Sequence, residues 1–186
     1  MLVLAIALGA CGAGSQGDDS DPGAGNPQSA GTEADFDQAL ADAPPRLASI
    51  YEQGDALLEG GSEAFTSQLD ELVGYPVVVN KWASWCGPCR FEFPFFQSQA
   101  MQRGTKIAFL GVNSEDSAAE AESFLGQLPL PYPSYSDPDG EIADLFDARE
   151  FPSTAFYDST GELVYVRRGG YASEEDLAAE IERWAR

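Results

Sequence analysis

Histidine is absent from all 186 residues of this chain. Without it there is no Ser-His-Asp triad, no His-ligated metal and no haem held by imidazole, so any chemistry must run on cysteine, carboxylate or lysine. Cations are scarce as well: 10 Lys and Arg stand against 31 Asp and Glu, a net charge of −21. Such a surface repels phosphates, which argues against nucleic acid as a partner and against adhesion to anionic lipid headgroups. Cysteine occurs three times and methionine twice. The apolar run Leu2–Leu8 is far too short to span a bilayer. No repeat of solenoid length is visible. What remains is a chain suited to one ordinary domain plus extra pieces, with a hydrophobic content of 44 % that is typical of a globular core.

The informative stretch is Val77-Val78-Val79-Asn80-Lys81-Trp82-Ala83-Ser84-Trp85-Cys86-Gly87-Pro88-Cys89-Arg90. A β-branched run feeds directly into a C-x-x-C pair, and a helical pattern follows. A helix N-terminus carries unsatisfied N–H groups and the positive end of the dipole, both of which favour a thiolate at Cys86. Two cysteines at this spacing are placed for thiol–disulfide exchange. A structural staple is the plain alternative, although so short a loop adds little by closure. A four-ligand Cys or Cys/His zinc site lacks its remaining ligands.

Around this stretch the chain reads in order. Gly12 to about Glu33 is rich in Gly, Ser, Asp, Pro and Asn and is expected to be a flexible acidic tether. Helical spacing begins at Phe36, breaks at Pro44-Pro45, resumes over Arg46–Leu58 and, after Gly60-Gly61, runs from Ser62 to Leu72. Val77–Ala83 is predicted to be a buried strand. Gly87 to Arg103 is predicted to be a helix containing Pro94, which should kink it. A strand over Lys106–Val112, a helix over Ser117–Leu128, a short strand over Tyr132–Ser136 and a short helix over Glu141–Phe146 follow. Thr154–Asp158 and Glu162–Arg167 flank Ser159-Thr160-Gly161 as a hairpin. Ser173 caps a closing helix to about Trp184, with acidic residues in its first turn. The fold class is therefore α/β, a sheet with covered faces.

Two resemblances add to this reading. Trp85-Cys86-Gly87-Pro88-Cys89, with the later Phe151-Pro152-Ser153-Thr154, resembles the thioredoxin fold. The longer run Asn80 to Arg90, with Glu92-Phe93-Pro94, resembles the exported TlpA/ResA-like thiol–disulfide reductases over roughly Gly74 to Ala185. That likeness implies a thioredoxin-like fold, a central mixed sheet flanked by helices, with an N-terminal helical extension. It also implies an added strand and helix near Gln127–Arg149. Leu8-Gly9-Ala10-Cys11 resembles the lipobox of bacterial lipoproteins, which implies cleavage before Cys11 and a lipid on it. That lipid leaves Cys86 and Cys89 as the remaining pair. No Lys or Arg precedes the apolar run, so the true start is expected upstream of Met1. The implied organisation is a signal peptide over 1–10, a linker over 11–35, a helical extension over 36–75 and a thioredoxin-like domain over 76–186.

The site follows from both lines. Cys86 attacks as thiolate and Cys89 resolves the mixed disulfide; no cofactor beyond this redox-active pair is expected, and no metal. Pro88 fixes φ just before Cys89. By resemblance, Pro152 is cis and, with Phe151, Trp85, Gly87, Pro88 and Gly169, meets the substrate. Glu92, one turn after Cys89, is expected to move protons. By resemblance Asn80, a supporting residue, stands where thioredoxin has a buried aspartate, and an amide cannot act as base, which shifts that role to Glu92. Lys81 inside a central strand needs a carboxylate partner, with Glu92 the first candidate. Trp82 and the aromatics Phe91, Phe93, Phe95 and Phe96 read as core. The resemblance implies protein thiols and disulfides as partners, apocytochrome c among them, and a membrane electron donor. It places the domain outside the cytoplasm, held on the membrane through the Cys11 lipid. A protein oxidase using the same pair, a Cu(I) carrier and a peroxidase remain as alternatives.

Overall fold

A computed structural model describes residues 29–186. The apolar run, the lipobox with Cys11 and most of the acidic linker lie outside the described residues. The linker's last part does not behave as a tether. Ala30 N–H donates to Gln97 Oε1 at 2.7 Å, and Thr32 and Asp35 form a reciprocal capping box that starts α1 (Glu33–Leu40). The boundary expected at residue 35 therefore falls earlier, because a Thr-x-x-Asp cap supplies the local hydrogen bonds that a polar composition alone did not suggest.

After α1, Pro45 opens α2 (Pro45–Tyr51) at its first position, where a missing N–H costs nothing. The helix expected to run on to Leu58 stops here. Gly54 N–H closes a turn onto Tyr51 O, Asp55 takes a left-handed φ of 55° and donates to Leu130 O. The chain leaves this bend as β1 (Leu57–Leu58), paired with β4 (Ser134–Asp137). Backbone pairing across the sheet edge outweighs the helical spacing of two leucines. Gly60, at φ 112°, precedes α3 (Gly61–Glu71).

The remaining elements are β2 (Val77–Trp82), α4 (Gly87–Arg103), β3 (Ala108–Ser114), α5 (Ala118–Leu125), β4, α6 (Glu141–Asp144), β5 (Ser153–Tyr157), β6 (Leu163–Arg168) and α7 (Glu174–Trp184). They match the predicted order, with ends shifted by up to three residues. The six strands form one sheet in the order β1-β4-β3-β2-β5-β6. β2 lies near the middle, parallel to β3 and antiparallel to β5. β4 and α6 form the added strand and helix between the core unit and the hairpin. This is a thioredoxin-like fold.

All six residues of β2 are buried, as a strand covered on both faces requires. Its side chains alternate between two environments. Asn80 and Trp82 meet α4: Asn80 bonds Glu92, and the Trp82 ring lies 5.1 Å from Phe93 with Phe124 of α5 at 5.6 Å. Lys81 points the other way, toward the segment after α6. Phe93 and Phe96 are core as expected, but Phe91 is exposed, stacked edge-on against Phe95, because it lies on the outward side of α4.

Close packing at the sheet centre is set by Gly111. A Cβ there would land on the Ser134 side chain and near Trp82 Nε1, while Trp82 Nε1 already donates to Ser134 Oγ at 3.0 Å. Gly111→Ala should therefore cost about 1–3 kcal/mol of stability by overpacking, read as a lowered urea midpoint at unchanged m-value.

Candidate active site

Cys86 is the N-cap residue of α4, and Gly87 and Pro88 form its first turn. The Cys86 sulfur accepts from Cys89 N–H at 3.2 Å, so the helix aims an orphan donor and its dipole at this sulfur. Cys86 and Cys89 are joined in a disulfide. Cys86 keeps a 4 % exposed fraction whereas Cys89 has none, which makes Cys86 the sulfur an incoming group meets first. Asp116 fixes the turn ahead of the motif: its carboxylate accepts from Ser84 N–H at 2.6 Å, from Ser84 Oγ at 2.9 Å and from Asn113 Nδ2 at 2.9 Å. Sequence reasoning missed this residue, since one aspartate among so many carried no pattern.

The Phe151–Pro152 peptide bond, immediately ahead of β5, is cis. Gly169, at φ 92°, donates its N–H to Pro152 O at 2.9 Å, a conformation glycine adopts without penalty. Trp85 is 57 % exposed, packs with its ring tilted 4.9 Å from the Phe151 ring and donates from Nε1 to Glu115 O at 3.0 Å. Trp85, Phe151 and Pro152 thus form an apolar step beside the sulfurs.

Glu92, one helical turn after Cys89, is 1 % exposed. Asn80 Nδ2 donates to Glu92 Oε1 at 3.1 Å, and Tyr171 N–H donates to Glu92 Oε2 at 3.0 Å. Burial pushes the Glu92 carboxyl up to about 7, against the pull of the Tyr171 N–H, the Asn80 amide and the Arg167 charge. A carboxyl poised near neutrality can take or give a proton at working pH. Tyr171 was not foreseen; the Gly169-Gly170-Tyr171 run after the last strand was its only signal. Gly170 lets that strand approach, since a Cβ there would sit 3.4 Å from Glu92 Oε2 and 3.3 Å from Pro152 Cγ.

The expected Lys81–Glu92 ion pair does not form. Neighbouring strand residues face opposite sides of the sheet, so Asn80 takes the Glu92 side and Lys81 the other. Lys81 is 1 % exposed. Its Nζ donates to Ala148 O at 2.9 Å, sits 3.7 Å from the Phe151 ring centroid and lies 3.9 Å from Glu115 Oε1. Burial pulls its pKa down, opposed by Glu115, Asp137, Glu150 and Asp144. Among the described residues no group of three or more His, Cys, Asp or Glu side chains could hold a metal.

Comparison with known proteins points to the same fold. Residues 57–166 match the AhpC/TSA family. A thiol-disulfide oxidoreductase ResA of Oceanobacillus iheyensis is 32 % identical over 64 % of this chain and 67 % of its own length. A solved structure of a thiol:disulfide interchange protein DsbE from Chlorobium tepidum aligns with a TM-score of 0.57 at 30 % identity, over 62 % of this chain and 83 % of that one. The exposed lipoprotein thioredoxin of Streptococcus pneumoniae aligns with a TM-score of 0.55 at 26 % identity, over 62 % and 89 %.

Glu92 also predicts a stability profile. Its folded value of about 7 lies above the ordinary 4.5, so folding takes up a proton between those values. Its contribution is full below about pH 4.5 and is lost as pH rises through 7, by about 3 kcal/mol at most. The stability difference between wild type and Glu92→Gln, from urea melts of the oxidised proteins, should therefore move by about 2–3 kcal/mol in the variant's favour from pH 5 to pH 8. A difference that stays level would mean Glu92 titrates as an ordinary glutamate.

Proposed function

The chain belongs to the AhpC/TSA family, and on that premise we propose that its thiol–disulfide oxidoreductase site works in the reducing direction on protein disulfides outside the cytoplasm. The observation that carries the reading is the Cys86–Cys89 disulfide at the head of α4, in a chain that also holds a cis-Pro152 and a buried Glu92 one helical turn after Cys89. No further cofactor is needed, because the dithiol itself holds two electrons.

The exchange runs in two displacements. The Cys86 thiolate attacks one sulfur of a substrate disulfide, forming a mixed disulfide and releasing a substrate thiolate, which takes up a proton. Cys89 then gives up its proton, attacks Cys86 Sγ and displaces the second substrate sulfur. Two electrons pass to the substrate, which gains two protons, and the Cys86–Cys89 bond is restored. In this scheme Glu92 accepts the Cys89 proton from one helical turn away. Trp85, Gly87, Pro88, Phe151, Pro152 and Gly169 receive the substrate segment, and Asn80 and Tyr171 hold Glu92 in place. An external thiol donor, by resemblance a membrane protein, returns the pair to the dithiol.

Export and lipidation at Cys11 complete the proposal. They are supported by the Leu8-Gly9-Ala10-Cys11 sequence and by the likeness to an exposed lipoprotein thioredoxin. Apocytochrome c is a fitting substrate for such a reductase, with the resemblance as its support. A protein oxidase would use the same atoms in reverse.

Direction is decided by the couple's potential, measured by equilibration with glutathione. A value near about −270 mV, like thioredoxin's, supports the reductase, and one near about −120 mV makes the protein an oxidase. The resolving step has its own test. Glu92→Gln should slow release of product from a pre-formed mixed disulfide by about 100-fold at pH 7 while leaving Cys86 alkylation within about twofold. Equal rates in stopped-flow would remove Glu92 from the mechanism.

A further inference from the structure

Lys81 is an ammonium group buried in the middle of a sheet, where neither sulfur exchange nor proton transfer to Glu92 uses it. An unpaired buried cation is costly, so its contacts indicate what it stabilises. There are three. Nζ donates to Ala148 O at 2.9 Å, just ahead of the loop that carries Phe151 and Pro152. It sits 3.7 Å from the centroid of the Phe151 ring. Glu115 Oε1 lies 3.9 Å away.

Glu115 closes a circuit. It is a non-glycine residue at φ 52°, a conformation with an energetic cost that the surrounding contacts must offset. In that conformation its carbonyl accepts from Trp85 Nε1 at 3.0 Å, while its carboxylate approaches Lys81. Trp85 in turn lies 4.9 Å from Phe151, the two rings tilted by 59°. Trp85 and Phe151 are thus tied to one another and to the same buried ammonium, Phe151 directly and Trp85 through Glu115.

We propose that Lys81 is a positioning residue for substrate capture: its ammonium fixes the Phe151 ring and, through Glu115, Trp85, so that the apolar step beside the disulfide is preformed for an extended protein segment. This rests on the oxidoreductase reading above. The attraction between a desolvated ammonium and an aromatic face, together with the Ala148 bond, holds the step in one arrangement. A preformed step lowers the ordering cost of binding. A small disulfide that reaches Cys86 without covering the step gains nothing from it.

The test compares two substrates in the full chain, reduced and then presented with either insulin or the small disulfide 5,5′-dithiobis(2-nitrobenzoate). Lys81→Met keeps the bulk and removes the charge. Its KM for insulin should rise about fivefold or more, with kcat and the rate with the small disulfide both within about twofold of wild type. Lys81→Arg, which keeps a cation over the ring, should recover most of the insulin KM. In a Phe151→Leu background, Lys81→Met should raise the insulin KM no further. If Lys81→Met does not fold, Lys81→Gln takes its place with the same expectation, since its amide still donates to Ala148 O. An insulin KM within twofold of wild type overturns the proposal, as does an equal loss on both substrates, which would mean that the charge acts at the sulfurs. Failure of the wild-type dithiol to reduce either substrate would strike the oxidoreductase reading instead.

Discussion

A carboxyl group sealed inside the sheet–helix interface, one turn from a reactive sulfur pair, is the constraint on which this structure depends. Glu92 cannot leave the interface without breaking bonds to Asn80 and Tyr171, and it cannot ionise there without a penalty that lifts it to about 7. Several distant parts of the chain converge on it. Strand β2 supplies the Asn80 amide, the glycine pair after β6 brings the Tyr171 N–H within reach, and Arg167 adds a positive charge. Arg167 is itself held by Glu180 of α7 at 2.9 Å and stacks on the Tyr171 ring. The last helix therefore bears on the protonation of a residue on α4, through the strand that also positions Pro152.

The alternation of β2 divides the labour between its two sides. On the α4 side, Asn80 holds Glu92 and Trp82 packs against Phe93. On the other, Lys81 contacts Ala148 O, Phe151 and Glu115. The two sets of contacts start from adjacent strand residues, so a slip of register by one position would move each to the wrong face. The strand is protected from such a slip by pairing with β3 over Val77–Trp82 and with β5 over Val77–Lys81. Continuous burial of β2 makes the sequence hydrophobic almost throughout, and the two polar residues inside it mark where function enters.

Much of this was legible in the chain before folding. The β-branched run, the C-x-x-C pair, the Ser-Thr-Gly hairpin and the Ser173 cap each encode a local geometry with few alternatives, and the elements they mark are all present. Glu92 was visible as a helix residue one turn from Cys89. Its partners were divided between what local spacing can and cannot express. Asn80 could be anticipated from its place on the strand, but Tyr171 lies 79 residues away in sequence and contributes a backbone N–H, which any residue possesses. The Lys81 assignment failed for a related reason. Cost of burial correctly demanded a carboxylate partner, but the choice of Glu92 ignored which face of the strand Lys81 occupies; on that face Glu115 lies 3.9 Å away, alongside the Ala148 carbonyl and the Phe151 ring. Leu57 and Leu58 fit a helix by spacing and became a strand because β4 offered an edge.

In the proposed mechanism the disulfide and the carboxyl form one linked system, in which the proton on Glu92 and the electrons on Cys86 and Cys89 influence each other. The direct measurement is the titration of the Glu92 side-chain carboxyl by carbon-13 NMR in the disulfide and dithiol forms of the same protein. The account predicts a midpoint near 7 in the disulfide form and a clear displacement when the bond is reduced and Cys89 can ionise beside it. A midpoint near the ordinary 4.5, or one that ignores the redox state, would contradict it.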